Sequence, residues 1–273
     1  MLVAAALLTS CSAGGDDSAR RGSELDGGTS STEVTTTTSP PSTPTEPPTT
    51  TSTTTTTPPP PIHRPGSSGP EVLAIERRLA ELGYRPGKVD GTYTAETASA
   101  VMAYQKHEGL ARDGFAGPET MGALFLPPHG AGPSPSGPVP RLEIDLDRQL
   151  MFVVLGDGST TIVNISSGNN RPYLHPAGYT AVAATPVGAF SVLRKIDAAE
   201  HAPLGTLYRP LYFVGGFAVH GSTSVPGYPA SHGCVRTSYA DQDWLFPLIP
   251  RGTPVVVRSG GPVIDPGTDA PIS

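Results

Sequence analysis

From Ser12 to Ser68 the chain has no hydrophobic periodicity, and this stretch limits what the rest can build. Its centre reads T-S-S-T-E-V-T-T-T-T-S-P-P-S-T-P-T-E-P-P, followed by T-T-T-S-T-T-T-T-T-P-P-P-P. A Thr/Pro tract of this kind cannot bury enough apolar surface to offset its ordering entropy. Proline bias predicts a disordered but semi-rigid spacer over 12–68, with a reach of at most roughly 170 Å. Any folded core must therefore come from the residues after 68.

Ahead of the spacer, residues 1–11 read M-L-V-A-A-A-L-L-T-S-C. The run is far shorter than the about 20 apolar residues that cross a bilayer. It is similar to the end of a secretory signal, with Leu8-Thr9-Ser10-Cys11 matching a bacterial lipobox. The charged segment that opens such signals is missing, so the expectation is a start upstream and a lipid on Cys11. The chain has 2 cysteines, which excludes a disulfide framework and leaves Cys234 as the free thiol. A net charge of -6, with near-balance between 142 and 258, argues against a nucleic-acid surface.

Helical periodicity begins near Gly69. Val72, Ile75, Leu79 and Leu82 share one helix face, closed by Gly83. Thr94 is placed to cap a second helix carrying Ala98, Val101 and Met102 toward Gly109. Pro118 is placed to open a third with Met121, Leu124 and Phe125. The pattern Asp90-Gly91, Glu96-Thr97, Ala100-Val101 recurs as Asp113-Gly114, Glu119-Thr120, Ala123-Leu124, which predicts a pseudo-repeated helical module. With L-G-Y at 82–84 and Y-Q at 104–105, residues 69–126 resemble the peptidoglycan-binding type 1 domain. That resemblance implies binding to glycan strands or stem peptides.

Residues 127–139 form a second Pro/Gly linker. Beyond it the period changes to two. Leu142, Ile144 and Leu146 alternate with Glu143, Asp145 and Asp147, predicting a half-buried strand. Asp147-Arg148 turns it into a partner at 150–155, and Asp157-Gly158 turns that into a strand at 161–166. Further strands are expected at 211–214, 217–220 and 254–258, and a helix at 239–246 with Trp244 in the core. Residues 259–273 read as a disordered tail.

The chemistry concentrates in residues 217–236, F-A-V-H-G-S-T-S-V-P-G-Y-P-A-S-H-G-C-V-R. Residue types and spacing alone allow three readings: a small buried thiol, a metal site of two histidines and a cysteine, or a thiol nucleophile beside a strand-borne base. The order H-G-S…S-H-G-C-V-R resembles the signature of the L,D-transpeptidase (YkuD-type) catalytic domain, over 140–258, and T-P-V-G-A-F-S-V at 185–192 resembles a second segment of it. Ten residues separate His220 from Ser231, fewer than the family pattern, so a trimmed active-site loop is expected.

The resemblance implies Cys234 as nucleophile, His220 as its base and the Gly221 backbone carbonyl as the group orienting that imidazole. It makes the Gly233 and Cys234 N–H groups the oxyanion donors. Ser231, His232 and Arg236 would shape the site and hold the donor stem. It implies no cofactor and no metal. His220 rather than His232 is expected to move the proton, because a strand holds it, and the imidazole is expected to draw the thiol pKa down. The expected fold is an α+β multidomain chain, a small three-helix peptidoglycan-binding module plus a mostly-β, β-sandwich-like catalytic domain. Implied with it are 3-3 cross-linking of peptidoglycan through a cysteine thioester and an extracytoplasmic location with the membrane reached only through the lipid. Two alternatives stay open: an L,D-carboxypeptidase using water as acceptor, and a non-catalytic peptidoglycan-binding lipoprotein.

Overall fold

The computed structural model describes residues 60–259. Residues 1–59 and 260–273, which include Cys11, the expected signal, most of the spacer and nearly all of the tail, lie outside the described residues. The end of the spacer at 60–68, expected to be disordered, is instead pinned where His63 exchanges two backbone hydrogen bonds with Ala116. Four helices occur in the described part, and none is long and apolar enough to cross a membrane.

Three of them fall early. Helix α1 (Pro70–Glu81) opens on a proline and buries Val72, Ile75 and Leu79. Helix α2 (Ala95–Glu108) starts from a reciprocal Thr94–Thr97 capping box and ends on Gly109. Helix α3 (Pro118–Leu124) is short, and Phe125 beyond it is exposed rather than core. The sequence echo has a physical basis. The buried Glu76 carboxylate accepts from the backbone N–H groups of Asp90 (3.0 Å) and Gly91 (2.8 Å). The buried Gln105 Oε1 accepts from Asp113 (3.1 Å) and Gly114 (2.8 Å) in the same way. Each Asp-Gly turn is thus tied to a polar side chain on a helix that would otherwise be unsatisfied.

The larger part holds two sheets. The first has the order β3 (Thr160–Asn164), β2 (Leu150–Val154), β1 (Arg141–Asp145), β12 (Pro254–Arg258), β6 (Gly188–Ser191), with β1 and β12 parallel. The second runs β11 (Val235–Thr237), β10 (Phe217–Gly221), β9 (Gly205–Val214), β7 (Arg194–Lys195), with β8 (Ala199–Ala202) also on β9. Ile144, Val153 and Val257 from the first sheet share a core with Phe213, Val219 and Val235 from the second. Leu245 and Phe246 of α4 (Tyr239–Leu248) join them. A separate hairpin pairs β4 (Pro172–Leu174) with β5 (Thr180–Val182).

The half-buried strand expected at 142–146 forms at 141–145 and is buried along its whole length, with Leu146 beyond it only partly buried. The reason is that the outer face of this sheet is covered. Leu150, Phe152 and Ile162 lie in one apolar cluster with Tyr84, Val101 and Tyr104 of the helical region. Helix α2 accordingly buries residues nearly all round, including Gln105, Lys106 and His107, whereas of the expected face only Val101 is fully buried and Ala98 and Met102 are partly exposed. The 127–140 segment has no strand or helix, yet is tied down: the Glu108 carboxylate accepts from His129 and Gly130, and Glu143 accepts from Ser134 and Arg141. On the far side Arg85 donates to Asp241 at 3.1 Å and lies over the Trp244 ring.

A chain cut to begin at residue 140 would therefore expose Leu150, Phe152 and Ile162, at roughly 1.5–3 kcal/mol for each side chain uncovered. Against a typical total stability of about 5–15 kcal/mol, we expect that fragment to aggregate or to melt far below the longer chain. A fragment with an unchanged melting temperature in calorimetry would contradict this.

Candidate active site

Strands β10 and β11 build the centre of the site. They run parallel, with Val219 opposite Val235, His220 opposite Arg236 and Gly221 opposite Thr237. Val219 and Val235 are fully buried in the shared core. Because side chains alternate along a strand, His220 on one strand and Cys234 and Arg236 on the other face away from that core. All three line one cavity of about 470 Å³, together with Tyr173, Tyr212 and His232.

His220 is buried, and its Nδ1 lies 2.9 Å from the Gly221 carbonyl oxygen. A carbonyl only accepts, so Nδ1 carries the hydrogen and Nε2 keeps its lone pair. Gly221 itself is hemmed in: a Cβ there would come within 2.8 Å of the Tyr208 ring. Burial pushes the His220 imidazole down to about 4; the Gly221 carbonyl opposes this and the Arg236 charge adds to it. Cys234 is half-buried, with Sγ 3.8 Å from the Gly216 carbonyl. Burial pushes its thiol up, against smaller opposing effects of the Ala218 backbone and of Arg236. Burial thus works against the lowering expected from the imidazole. Taking both groups out of water disfavours both charged forms and favours a neutral thiol beside a neutral imidazole at rest.

The loop before the thiol is held from within. Ser231 is 2% exposed; its Oγ accepts from the Gly233 N–H at 2.9 Å and donates to the Cys234 carbonyl at 2.5 Å. The Gly233 N–H expected to face a substrate is therefore occupied inside the loop. Gly233 has φ +133°, and a Cβ there would run into the Phe217 ring, so glycine is required for the turn. The Gly233 carbonyl accepts from Thr185 Oγ1 at 2.7 Å, which gives the first residue of T-P-V-G-A-F-S-V a contact with the thiol loop. His232 is exposed and meets the edge of Tyr173 at 4.7 Å between ring centres. Arg236 is half-buried, and among the described residues no carboxylate pairs with its guanidinium. Nor does any group of three His, Cys, Asp or Glu among them lie placed to hold a metal ion.

Sequence reasoning missed the outer wall of the cavity. Tyr173, His175 and Tyr179 come from the β4–β5 hairpin, with His175 and Tyr179 stacked at 4.5 Å. Its strands have three residues each, too few to show alternation; the turn formers in H-P-A-G-Y were the available signal.

Comparison with known proteins agrees with the two-part layout. Residues 68–124 match a sequence family described as putative peptidoglycan binding domain, and residues 140–257 match the L,D-transpeptidase catalytic domain. The N-acetylmuramoyl-L-alanine amidase CwlM of Mycobacterium tuberculosis is 44% identical over 68 residues, 24% of this chain and 17% of that protein. The N-acetylmuramoyl-L-alanine amidase CwlL of Bacillus licheniformis is 39% identical over 87 residues, 29% of this chain and 24% of that protein. The chain thus matches about a fifth of the length of these curated relatives. The crystal structure of the L,D-transpeptidase from Xylanimonas cellulosilytica is 46% identical, with a TM-score of 0.67, over 74% of this chain and 99% of that one. On identity and coverage together, this chain belongs to the L,D-transpeptidase family.

Proposed function

We propose that this protein is a cell-wall L,D-transpeptidase that forms 3-3 cross-links in peptidoglycan through a thioester on Cys234. The observation that carries the reading is that Cys234, His220 with its Nδ1–H on the Gly221 carbonyl, and an unpaired Arg236 line one cavity. The thiol attacks the carbonyl carbon that precedes the terminal D-alanine of a tetrapeptide donor, and its proton passes to His220 Nε2. The C–N bond breaks, the imidazolium returns that proton to the departing D-alanine nitrogen, and a thioester remains. A side-chain amine of a neighbouring stem then attacks the thioester, gives its proton to His220, and the thiol is released reprotonated. With Gly233 turned into its own loop, the Cys234 N–H is the remaining backbone candidate for the oxyanion. Ser231 clamps the loop, His232 and Tyr173 border the donor, and Arg236 receives a carboxylate of the donor stem.

The three-helix region at 69–126 holds the wall polymer, consistent with the amidase relatives that share it. The β-sandwich-like reading of the catalytic part rests on its two sheets and shared core. The location that follows is extracytoplasmic, with Cys11 as lipid anchor on the strength of Leu8-Thr9-Ser10-Cys11.

Incubating the full chain with disaccharide-tetrapeptide and following muropeptides by mass spectrometry tests the reading. Dimers lacking one D-alanine are expected. Tripeptide monomers alone would make the enzyme an L,D-carboxypeptidase, and unchanged substrate would leave only a wall-binding protein. Arg236→Gln is expected to raise KM for the donor about 10- to 100-fold, the range for losing a charged hydrogen bond; an unchanged KM would remove Arg236 from donor binding.

A further inference from the structure

Lys106, on α2 of the helical region, is 1% exposed. Its Nζ reaches across to the first sheet, donating to the Gln149 carbonyl at 3.1 Å, Asn164 Oδ1 at 2.5 Å and the Ile165 carbonyl at 2.8 Å. Three donors meet three oxygens, so the ammonium is fully satisfied there. Burial, with the Arg112 charge adding to it, pushes the group down to about 7. A buried lysine is an expensive way to join two packed surfaces, since an aliphatic side chain would do so without desolvating a charge.

The residues that Lys106 holds carry the thiol loop. Directly after Ile165, Ser166 exchanges two backbone hydrogen bonds with Arg236, at 3.0 and 2.9 Å. The Ser167 carbonyl accepts from the N–H groups of Ala230 (3.0 Å) and Ser231 (2.9 Å), and the Asn169 N–H donates to the Ser231 carbonyl (3.1 Å). Gln149, whose own carbonyl is on Lys106, grips Ser167 by both its N–H and its hydroxyl. Asn164 Nδ2 also points to the Val225 carbonyl at 3.5 Å, on the loop between His220 and Ser231. The strip 164–169 is therefore clasped by Lys106 at its start and bound to Ser231 and Arg236, which bracket Cys234.

We propose that Lys106 is a positioning residue for Cys234: through Asn164, Ile165 and Gln149 the helical region fixes the strip from which the thiol loop hangs. The active site is then completed by the wall-binding region and is not a property of residues 140–258 alone. This inference rests on Cys234 being the nucleophile, and the experiment separates the two.

The test measures acylation of the full chain by imipenem, followed by intact mass, beside thermal unfolding. Lys106→Met is expected to lower the limiting acylation rate about 10- to 100-fold, the size of effect that a misplacement of about 1 Å produces. The half-saturating imipenem concentration should stay within about twofold, as it would for a loss confined to the reacting geometry. Leu124→Ala, a core change on α3 outside the cluster that holds Ile165, Val219 and Val235, should lower the melting temperature but acylate within about twofold of the parent while folded. The double variant Lys106→Met/Asn164→Leu should be no slower than Lys106→Met, because both act through one link. Should Lys106→Met fail to fold, Asn164→Leu alone carries the test, with a loss of about tenfold or more expected. Parent-like acylation in the soluble variants of Lys106 and Asn164, or an equal loss in Leu124→Ala, overturns the positioning role. An adduct that survives Cys234→Ala overturns the nucleophile assignment instead, and this inference with it.

Discussion

Replacing Cys234 with alanine is expected to abolish covalent acylation, leaving no mass adduct after exposure to a carbapenem, and to lower turnover of tetrapeptide donors by on the order of 10⁴-fold or more. The expectation follows from the position of the thiol. Cys234 is the only cysteine among the described residues, and it lines the cavity with His220 and Arg236. Its neighbour Val235 is locked in the core, so the thiol is presented by a rigid strand end and not by a mobile loop. Alanine removes the Sγ that would form the thioester while leaving the loop clamp of Ser231, Gly233 and Thr185 intact. The variant should therefore melt close to the parent, which separates lost chemistry from lost folding. Residual turnover within about tenfold of the parent would mean that the carbonyl is attacked by something else, water activated by His220 being the first candidate.

The difference between what the sequence revealed and what only the structure reveals follows the range of the interactions. Helices α1 and α2 are legible because their caps and periodic residues lie within a few positions of one another: Pro70, Thr94 and Gly109 each act on the adjacent turn. The cluster at 217–236 is legible for the same reason, since His220 and Cys234 are delivered by neighbouring strands of one short segment. Glu143, on the polar face of an alternating strand, reads as solvent-facing although Ser134 and Arg141 hold it in a buried place. Nothing near Lys106 in sequence points to its role, because Gln149, Asn164 and Ile165 lie 43, 58 and 59 positions on. An alternating strand with charges on one face implies solvent on that face, and nothing local reveals that α2 and the 127–140 segment cover it. The resting charge state of the site was hidden in the same way, because desolvation depends on what closes over a residue. The hairpin carrying Tyr173 and Tyr179 was invisible because its three-residue strands carry no period.

The second large effect belongs to His220, and its pH dependence distinguishes it from His232. In the folded protein burial holds His220 down to about 4, whereas the unfolded chain titrates near 6.5. The sign is that of a base kept neutral: stability from this group is complete above about 6.5 and is lost as pH falls through about 4, amounting to about 3 kcal/mol when fully lost. His107, also pushed down by burial, adds to acid sensitivity in a similar direction, so the comparison must be between parent and His220→Gln. We expect the variant to lose less stability between pH 6.5 and 4 than the parent does. For catalysis, acylation in the parent should hold a plateau at neutral pH and fall only toward pH 4, since the neutral imidazole persists down to that point. His220→Gln or His220→Ala should lower the plateau by about 10²–10⁴-fold, the usual contribution of a positioned base. Iodoacetamide, which needs a preformed thiolate, should react slowly at neutral pH in the parent, because burial raises the Cys234 thiol. Rapid alkylation near pH 5 would show a thiolate–imidazolium pair and refute the neutral resting state. His232 is exposed, set against Tyr173 and without a backbone carbonyl fixing its ring. His232→Ala should therefore weaken donor binding while leaving the acid limb in place; if it lowers the plateau more than His220→Ala does, the proton passes through His232 and the assignment of the base is reversed.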